Sequence, residues 1–195
     1  AVKKCSNATS LIIDGYGGIV IISPSHSTIN DYESTLVKEQ HYYENLGNLK
    51  SLPSITLDNR GIVLLANIET VEETDLAVMS GAEGVGLVRT EYLVGQGGKF
   101  PNEEKQLTFY RDIAERIFPH SVTFRAFDVG SNKVKVNGKE LNPAMGVRGI
   151  RYLLEHKKIF KTQIRAVLRA SVHRNVKLML PMISTMKEVK KSLEI

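Results

Sequence analysis

Short apolar runs alternate with amphipathic stretches over the last two thirds of the chain. The apolar runs predict four β-strands, at residues 61–68, 81–89, 121–130 and 176–183. Apolar residues at helical spacing predict helices at residues 69–80, 102–118, 143–154, 157–172 and 184–195. Strands that alternate with helices favour a parallel sheet, and the burial of both its faces explains the unbroken hydrophobicity of the runs.

The first part of the chain has a different pattern. Residues 11–24 (LIIDGYGGIVIISP) hold two apolar runs around a glycine-rich centre, which is typical of a β-hairpin. Residues 25–50 are polar, with apolar positions at helical spacing, and predict one connecting helix. Ser27 or Asn30 is the expected cap of that helix, and Gly47 is its expected end.

The strand count allows two architectures for residues 61–195. Four strand–helix units are half of a (β/α)8 barrel, which typically needs about 250 residues. An open parallel sheet is the structural alternative. In both, the carboxyl ends of the strands carry the functional groups.

Composition excludes several classes of protein. The chain has 195 residues, of which 42% are hydrophobic and 24% are charged, and these values are those of a globular protein rather than a disordered one. Its apolar runs are all far shorter than the roughly 18 residues of a membrane span. The single cysteine, Cys5, excludes an internal disulfide and a cysteine-based zinc site, and fits a cytoplasmic location.

The charge is unevenly distributed. Residues 1–100 carry 7 Lys/Arg and 12 Asp/Glu, a net charge of −5, whereas residues 101–195 carry 19 and 9, a net charge of +10. A basic half is compatible with nucleic acid, an anionic membrane surface, a small anionic substrate or simply solvated helix faces. The sequence has no aromatic platform or groove-reading helix of the kind that would favour nucleic acid.

Three arginines lie on or after predicted strands: Arg89 ends the second strand, Arg125 lies within the third, and Arg148 follows it in the segment NPAMGVRGIR. A guanidinium group makes two parallel, charge-assisted hydrogen bonds to a phosphate or carboxylate. One such arginine alone would more simply form a surface ion pair. Three converging arginines would over-neutralise anything but a multiply charged anion, so the set predicts an anion site.

Two acids lie beside these arginines. Glu91 follows Arg89 by two positions, and Asp128 follows Arg125 by three. Each could act as a general base or a metal ligand, but an acid in this position more often orients the neighbouring arginine. The glycines of GAEGVG have neither the dinucleotide-binding spacing nor a following helix, which excludes a Rossmann site.

Five segments then appear in a recognisable order: ANIET, GAEGVGLVRTEYL, FRAFDVGSNK, LNPAMGVRGIR and VKLMLPMIS. They resemble the phosphoenolpyruvate-utilising enzymes, and among these the phosphoenolpyruvate–protein phosphotransferases (Enzyme I) of the bacterial sugar phosphotransferase system. LIIDGYGGIVIISPS is similar to the end of that family's swivelling phosphohistidine domain. The resemblance implies the end of that domain at residues 1–24, a linker helix and connection at 25–60, and the first half of a (β/α)8 TIM barrel at 61–195.

The resemblance also implies a chemistry. Family members transfer the phosphoryl group of phosphoenolpyruvate to their own histidine and then to a histidine of a small carrier protein. Arg89, Arg125 and Arg148 match arginines that bind the phosphate or carboxylate of phosphoenolpyruvate, and Lys133 matches a further phosphate-side lysine. Mg²⁺ is the implied cofactor, with its ligands beyond this chain. A homodimer is implied for the whole protein, with neither nucleic acid nor a membrane span.

The departures from the family pattern limit what this chain is expected to do alone. It contains no Gly-Gly-x-x-Ser-His segment for the phosphorylated histidine, and His26, in SPSHST, lacks the glycines. We therefore expect an interior fragment of a larger protein that is inactive alone and that, because its sheet edges are open, oligomerises or is partly disordered. The alternatives are a fragment of a pyruvate phosphate dikinase or phosphoenolpyruvate synthase, and a basic nucleic-acid-binding module whose affinity would fall steeply with salt.

Overall fold

The computed structural model describes residues 10–130, 142 and 145–195. The chain divides into two compact units, Ala1–Leu52 and Pro53–Ile195. Within the described residues, none of the helices combines the length and the apolar character needed to cross a membrane.

The described part of the first unit is a hairpin and one long helix. Strands β1 (Leu11–Asp14) and β2 (Ile19–Ile22) pair antiparallel. The turn between them is held by Asp14, whose Oδ1 accepts hydrogen bonds from the backbone N–H groups of Tyr16 at 3.0 Å and Gly17 at 2.7 Å. An aspartate that caps its own turn in this way is the reason for the tight reversal.

Helix α1 (His26–Gly47) ends at the predicted glycine but begins with a different cap. Ser25 is the N-cap, because its backbone is extended and its Oγ accepts the N–H of Thr28 at 3.2 Å. The expected caps, Ser27 and Asn30, both lie inside the helix, so that prediction was wrong. Serine hydroxyls at several neighbouring positions make the choice ambiguous from sequence.

The second unit confirms the predicted parallel sheet. Its strands run parallel in the order β3 (Ala66–Ile68), β4 (Gly84–Val88), β5 (Ser121–Arg125) and β6 (Val176–Met179). Its helices are α2 (Glu72–Met79), α3 (Glu103–Ile117), α4 (Ile150–Glu155), α5 (Lys157–Ala170) and α6 (Met186–Leu193). The sheet order follows the sequence order, so consecutive strands are neighbours throughout.

Helices α3 and α5 pack on each other and on the sheet to form the main core. Helix α3 begins one residue after its predicted start, and Asn102 is its N-cap, with Oδ1 accepting the N–H of Lys105 at 2.9 Å. Its inner face buries Tyr110 and Ile113 completely, and Tyr110 lies against Phe124 of β5 with ring centroids 4.7 Å apart.

A second hydrophobic cluster lies at the carboxyl end of β5. Phe127, Leu153 and Phe160 are among its large members, and Phe127 and Leu153 are completely buried. The chain that leaves β5 is therefore not a loose loop, because its residues 126, 127 and 129 are all fully buried. The carboxyl end of β5 is thus supported by a buried hydrophobic cluster.

The first predicted strand of this unit, residues 61–68, is much shorter in the structure. Only Ala66–Ile68 joins the sheet, and residues 62–65 are 43–64% exposed. The main chain of Leu64 exchanges hydrogen bonds with Glu83 ahead of β4, at 3.0 and 2.8 Å, instead of joining the ladder. Hydrophobicity alone does not distinguish such an edge segment from a central strand.

The helix predicted at residues 143–154 starts only at Ile150. Gly149 stops it from beginning earlier, because its φ of +58° is a left-handed conformation that a helix cannot contain. Its N–H donates to the carbonyl of Val129 at 3.1 Å, and the N–H of Arg148 donates to the carbonyl of Gly146 at 2.9 Å. Arg148 therefore lies in a turn and not on a helix.

Candidate functional site

The predicted arginines come together at one cleft. Arg89 directly follows β4, Arg125 is the last residue of β5, and Arg148 lies in the turn before α4. The cleft has a volume of about 370 Å³ and is lined by these arginines, Tyr92 and the carboxylates of Glu69, Glu91 and Asp128. A neighbouring cleft of about 490 Å³ along β3 and α2 shares Glu69 and Arg89 with this one, but neither Arg125 nor Arg148 lines it, so the three arginines converge on the smaller cleft.

Arg125 is held by Glu91. Its Nε and Nη2 donate to Oε1 and Oε2 of Glu91 at 3.2 and 3.0 Å, the two-pronged geometry of a strong pair. The Glu91 side chain is only 8% exposed, and its Oε1 also accepts the N–H of Asp128 at 2.6 Å. The single 3₁₀ turn Thr90–Leu93, which follows β4, places Glu91 beside Arg125 rather than beside Arg89, its neighbour in sequence.

Arg148 is held by Asp128 in the same way. Its Nε and Nη2 donate to Oδ1 and Oδ2 at 2.7 and 2.9 Å, and Asp128 also lies 3.7 Å from Nη1 of Arg125. These hydrogen bonds raise the pKa of Arg148 above its usual value, so the group stays charged. A Cβ at Gly130 would lie 3.3–3.5 Å from the stem of Arg148, so a glycine there allows the close approach.

Arg89 is the most open of the three arginines. Its Nη1 donates to Oε1 of Glu69 at 2.8 Å, and the two side chains are 51% and 45% exposed. An exposed pair of this kind contributes only about 0–1 kcal/mol to stability. Arg89 is therefore held less firmly than Arg125 or Arg148 and has more freedom to adjust to a ligand.

The two acids do orient arginines, but not those expected from sequence proximity. Glu91 pairs with Arg125, and Asp128 pairs mainly with Arg148. Three carboxylates match three guanidinium groups, so the formal charge of the described lining is zero. The expected excess of positive charge is therefore not supplied by the three arginines alone.

The cleft carboxylates do not fit a magnesium ion. Both oxygens of Glu91 and both oxygens of Asp128 already accept hydrogen bonds from guanidinium nitrogens. Over residues 10–130, 142 and 145–195, no cluster of three or more acidic, histidine or cysteine side chains could hold a metal ion. Lys133, the further expected ligand of the anion, lies outside the described residues.

Sequence reasoning missed a buried polar side chain behind the site. Gln163 of α5 is completely buried, and its Oε1 accepts the N–H of Phe127 at 3.0 Å. Its Nε2 donates to Oγ1 of Thr90 at 3.2 Å and to the hydroxyl of Tyr110 at 3.0 Å. The available signal was a glutamine within the otherwise apolar inner face of α5.

Several known proteins are similar to this chain in sequence. Residues 43–195 match the family described as PEP-utilising enzyme, PEP-binding domain. The phosphoenolpyruvate-protein phosphotransferase of Bacillus subtilis (strain 168) is 38% identical over 195 residues, which are 98% of this chain and 34% of that protein. The proteins of the same name from Priestia megaterium and Haemophilus influenzae are 38% and 36% identical, over 97% and 96% of this chain and 34% and 33% of their own length.

The chain thus spans about a third of the length of the curated relatives that it matches. The family match begins within α1 and includes all of the parallel sheet and its charged cleft. Because this match covers most of the chain, the chain belongs to the PEP-utilising enzymes, within their PEP-binding domain.

Proposed function

We propose that this chain carries part of the phosphoenolpyruvate site of a phosphoenolpyruvate–protein phosphotransferase. The observation that carries the proposal is the convergence of Arg89, Arg125 and Arg148 on one cleft at the carboxyl edge of a parallel sheet. Ligands of α/β proteins bind at this edge. The names of the relatives support a phosphotransferase over a dikinase or a nucleic-acid-binding module.

The sheet of residues 61–195 is proposed to be the first half of a (β/α)8 barrel. Its four strands lie in sequential order, β3-β4-β5-β6. A doubly wound open sheet reverses its strand order at a switch point, whereas a barrel does not. Residues 1–24 would then be the end of the phosphohistidine domain, and residues 25–60 its connection to the barrel.

The proposed reaction moves a phosphoryl group between two atoms. The bond from phosphorus to the enol oxygen of phosphoenolpyruvate breaks, and a bond from phosphorus to a histidine nitrogen forms. The enolate that leaves takes up a proton to give pyruvate, and the phosphohistidine then passes its phosphoryl group to a histidine of a small carrier protein. We assign neither histidine, nor the ligands of the implied Mg²⁺, to this chain.

The arginines of this chain would hold the anionic substrate and the charge that develops on it. Phosphoryl transfer is catalysed chiefly by positioning and by charge stabilisation, for which fixed guanidinium groups are suited. Glu91 and Asp128 fix Arg125 and Arg148 before substrate arrives, so little reorganisation is needed on binding. Because the described lining is neutral, Lys133 is proposed to supply further positive charge.

Arg89 and Arg116 offer a matched test. Both make one surface ion pair, Arg89 with Glu69 and Arg116 with Asp75, and the two arginines are 51% and 46% exposed. Loss of either pair should change stability by no more than about 1 kcal/mol. Only Arg89 lies in the cleft.

The experiment uses the full-length protein that contains this chain, incubated with phosphoenolpyruvate and Mg²⁺ and followed by intact mass. The wild type should gain one acid-labile phosphoryl group. Arg89→Gln should lower kcat/KM about 10²–10³-fold, the cost of losing one charge-stabilising donor, while Arg116→Gln keeps the wild-type value. The proposal is overturned if the wild type gains no phosphate, or if the two variants behave alike.

A further inference from the structure

We propose that Gln163 is a positioning residue for the phosphoenolpyruvate site, holding the ends of β4 and β5 in register. The inference rests on the proposed function, since it concerns the arginines of the same cleft. Gln163 lies on α5, behind the sheet, and does not line the cleft.

One carboxamide joins the two strand ends. Its oxygen accepts the N–H of Phe127, just after β5, and its nitrogen donates to the hydroxyl of Thr90, just after β4. The Thr90 hydroxyl in turn donates to the carbonyl of Arg125 at 2.7 Å. Four groups from three elements are therefore linked through a fully buried centre.

The linked residues are the sequence neighbours of the charged ones. Thr90 lies between Arg89 and Glu91, and Phe127 directly precedes Asp128. A shift of either main chain would move these side chains relative to one another, and the ion pairs of Glu91 and Asp128 depend on distances of 2.7–3.2 Å. The geometry of the cleft thus depends in part on the hydrogen bonds of Gln163, which lies outside the cleft lining.

Packing alone does not require a polar residue here. The neighbouring buried positions of α5 are Phe160, Ala166 and Val167, which shield it from water with apolar side chains. An apolar residue at position 163 could fill the same space, but it would leave the Phe127 N–H and the Thr90 hydroxyl without this partner. Buried polar groups have strict directional demands, which is what a positioning role uses.

Gln106 offers a matched control from the same network. It is a nearly fully buried glutamine on α3, and it accepts the hydroxyl of Tyr110 at 3.1 Å and donates to the carbonyl of Pro101 at 3.0 Å. Neither partner is on a strand end. Gln163→Met and Gln106→Met are therefore the same chemical change in similar surroundings, with different connections to the cleft.

The test measures thermal stability and phosphoenolpyruvate-dependent phosphorylation in the full-length protein that contains this chain. Both variants should lower Tm, because each leaves buried polar groups unpaired. Well below Tm, Gln163→Met should lower kcat/KM at least tenfold, whereas Gln106→Met should stay within twofold of wild type. Amide hydrogen exchange at Phe127 should accelerate only in Gln163→Met.

Two further variants keep the inference falsifiable should Gln163→Met not fold. Thr90→Val removes the hydroxyl between Gln163 and Arg125 and should also lower kcat/KM. In Gln163→Glu, burial favours the neutral, protonated carboxyl group. This group keeps an acceptor for the N–H of Phe127, so the variant should recover most of the kcat/KM lost in Gln163→Met. Equal kcat/KM for Gln163→Met and Gln106→Met, or a wild-type value for Thr90→Val, would overturn the inference.

These results separate the two proposals. The proposed function fails if the wild-type protein takes no phosphoryl group from phosphoenolpyruvate. The positioning role fails alone if Arg89→Gln loses activity while Gln163→Met retains it.

Discussion

Glu188 joins the start of helix α6 to the turn that carries Arg148, and its replacement gives a sharp test of that connection. Its Oε2 accepts the N–H groups of Ser184 and Thr185, each at 2.8 Å, in a capping box. Its Oε1 lies 3.3 Å from Nε of Arg151. Arg151 in turn donates to the carbonyl of Gly146, two residues before Arg148.

Glu188→Gln removes the charge and keeps the size of the side chain. The amide retains one acceptor oxygen, so the capping box is weakened rather than lost, while the ion pair with Arg151 disappears. Helix caps contribute about 0.5–2 kcal/mol, and hydrogen bonds to charged groups about 1.5–3 kcal/mol. We therefore expect a loss of about 1–2 kcal/mol, which lowers Tm by roughly 2–8 °C for a chain of this size.

The loss should depend on pH with a definite sign. Hydrogen bonds from the N–H groups of Ser184 and Thr185 hold the pKa of Glu188 below its ordinary value. A carboxylate whose pKa is lowered in the folded state contributes stability above its unfolded pKa of about 4.3, and this contribution disappears as pH falls through the folded value. The difference between wild type and variant should therefore be full at pH 7 and shrink below about pH 4.

Thermal unfolding followed by circular dichroism, from pH 7 down to about pH 3.5, measures this difference. Glu115→Gln is the control, because Glu115 is an exposed glutamate on the outer side of α3. The reasoning is refuted if the Tm gap of Glu188→Gln is constant across the series, or if the control produces the same gap.

Two other substitutions test the fold and the cleft. Gly84→Ala should lower the free energy of unfolding, measured in urea, by at least about 2 kcal/mol, because φ is +147° and the new Cβ would lie 2.7 Å from the Ser121 carbonyl of β5. Gly61→Ala is the control: its new Cβ meets open space, so the free energy of unfolding should change by less than about 0.5 kcal/mol. Asp128→Asn should cost about 1–3 kcal/mol and lower kcat/KM for phosphoenolpyruvate, since Arg148 loses its two-pronged carboxylate; an unchanged kcat/KM would show that Arg148 needs no such support.

The sequence was sufficient to predict the parallel sheet and, to within one residue, the ends of β3 and β4, whereas β5 and β6 end at Arg125 and Met179, five and four residues before their predicted ends. The strands read as apolar runs because both faces of the sheet are buried, and the helices show apolar residues at helical spacing because only one face is buried. Both patterns are local in the sequence. The errors concern features that local patterns do not contain. Residues 62–65 are as hydrophobic as a buried strand, yet they lie outside the sheet ladder and are exposed.

The arginines could be predicted, but their partners could not. Glu91 and Arg125 are 34 positions apart and meet because β4 and β5 are adjacent, with a 3₁₀ turn directing Glu91 across the gap. Asp128 meets Arg148 over 20 positions through the turn at Gly149. Both pairings depend on tertiary geometry, which no spacing rule expresses.

The pairing of every cleft arginine with a carboxylate bears on how such a site could work. Under the proposed function, the acids reduce the attraction for a polyanion, because they neutralise the guanidinium charges near it. In return, the carboxylates of Glu91 and Asp128 hold two guanidinium groups in fixed orientations, 2.7–3.2 Å from their oxygens. An anion then meets donors already in place, and its binding energy is spent on the charge that develops during transfer rather than on ordering side chains. Arg89, paired only at the surface, is left as the one that adjusts when the anion enters.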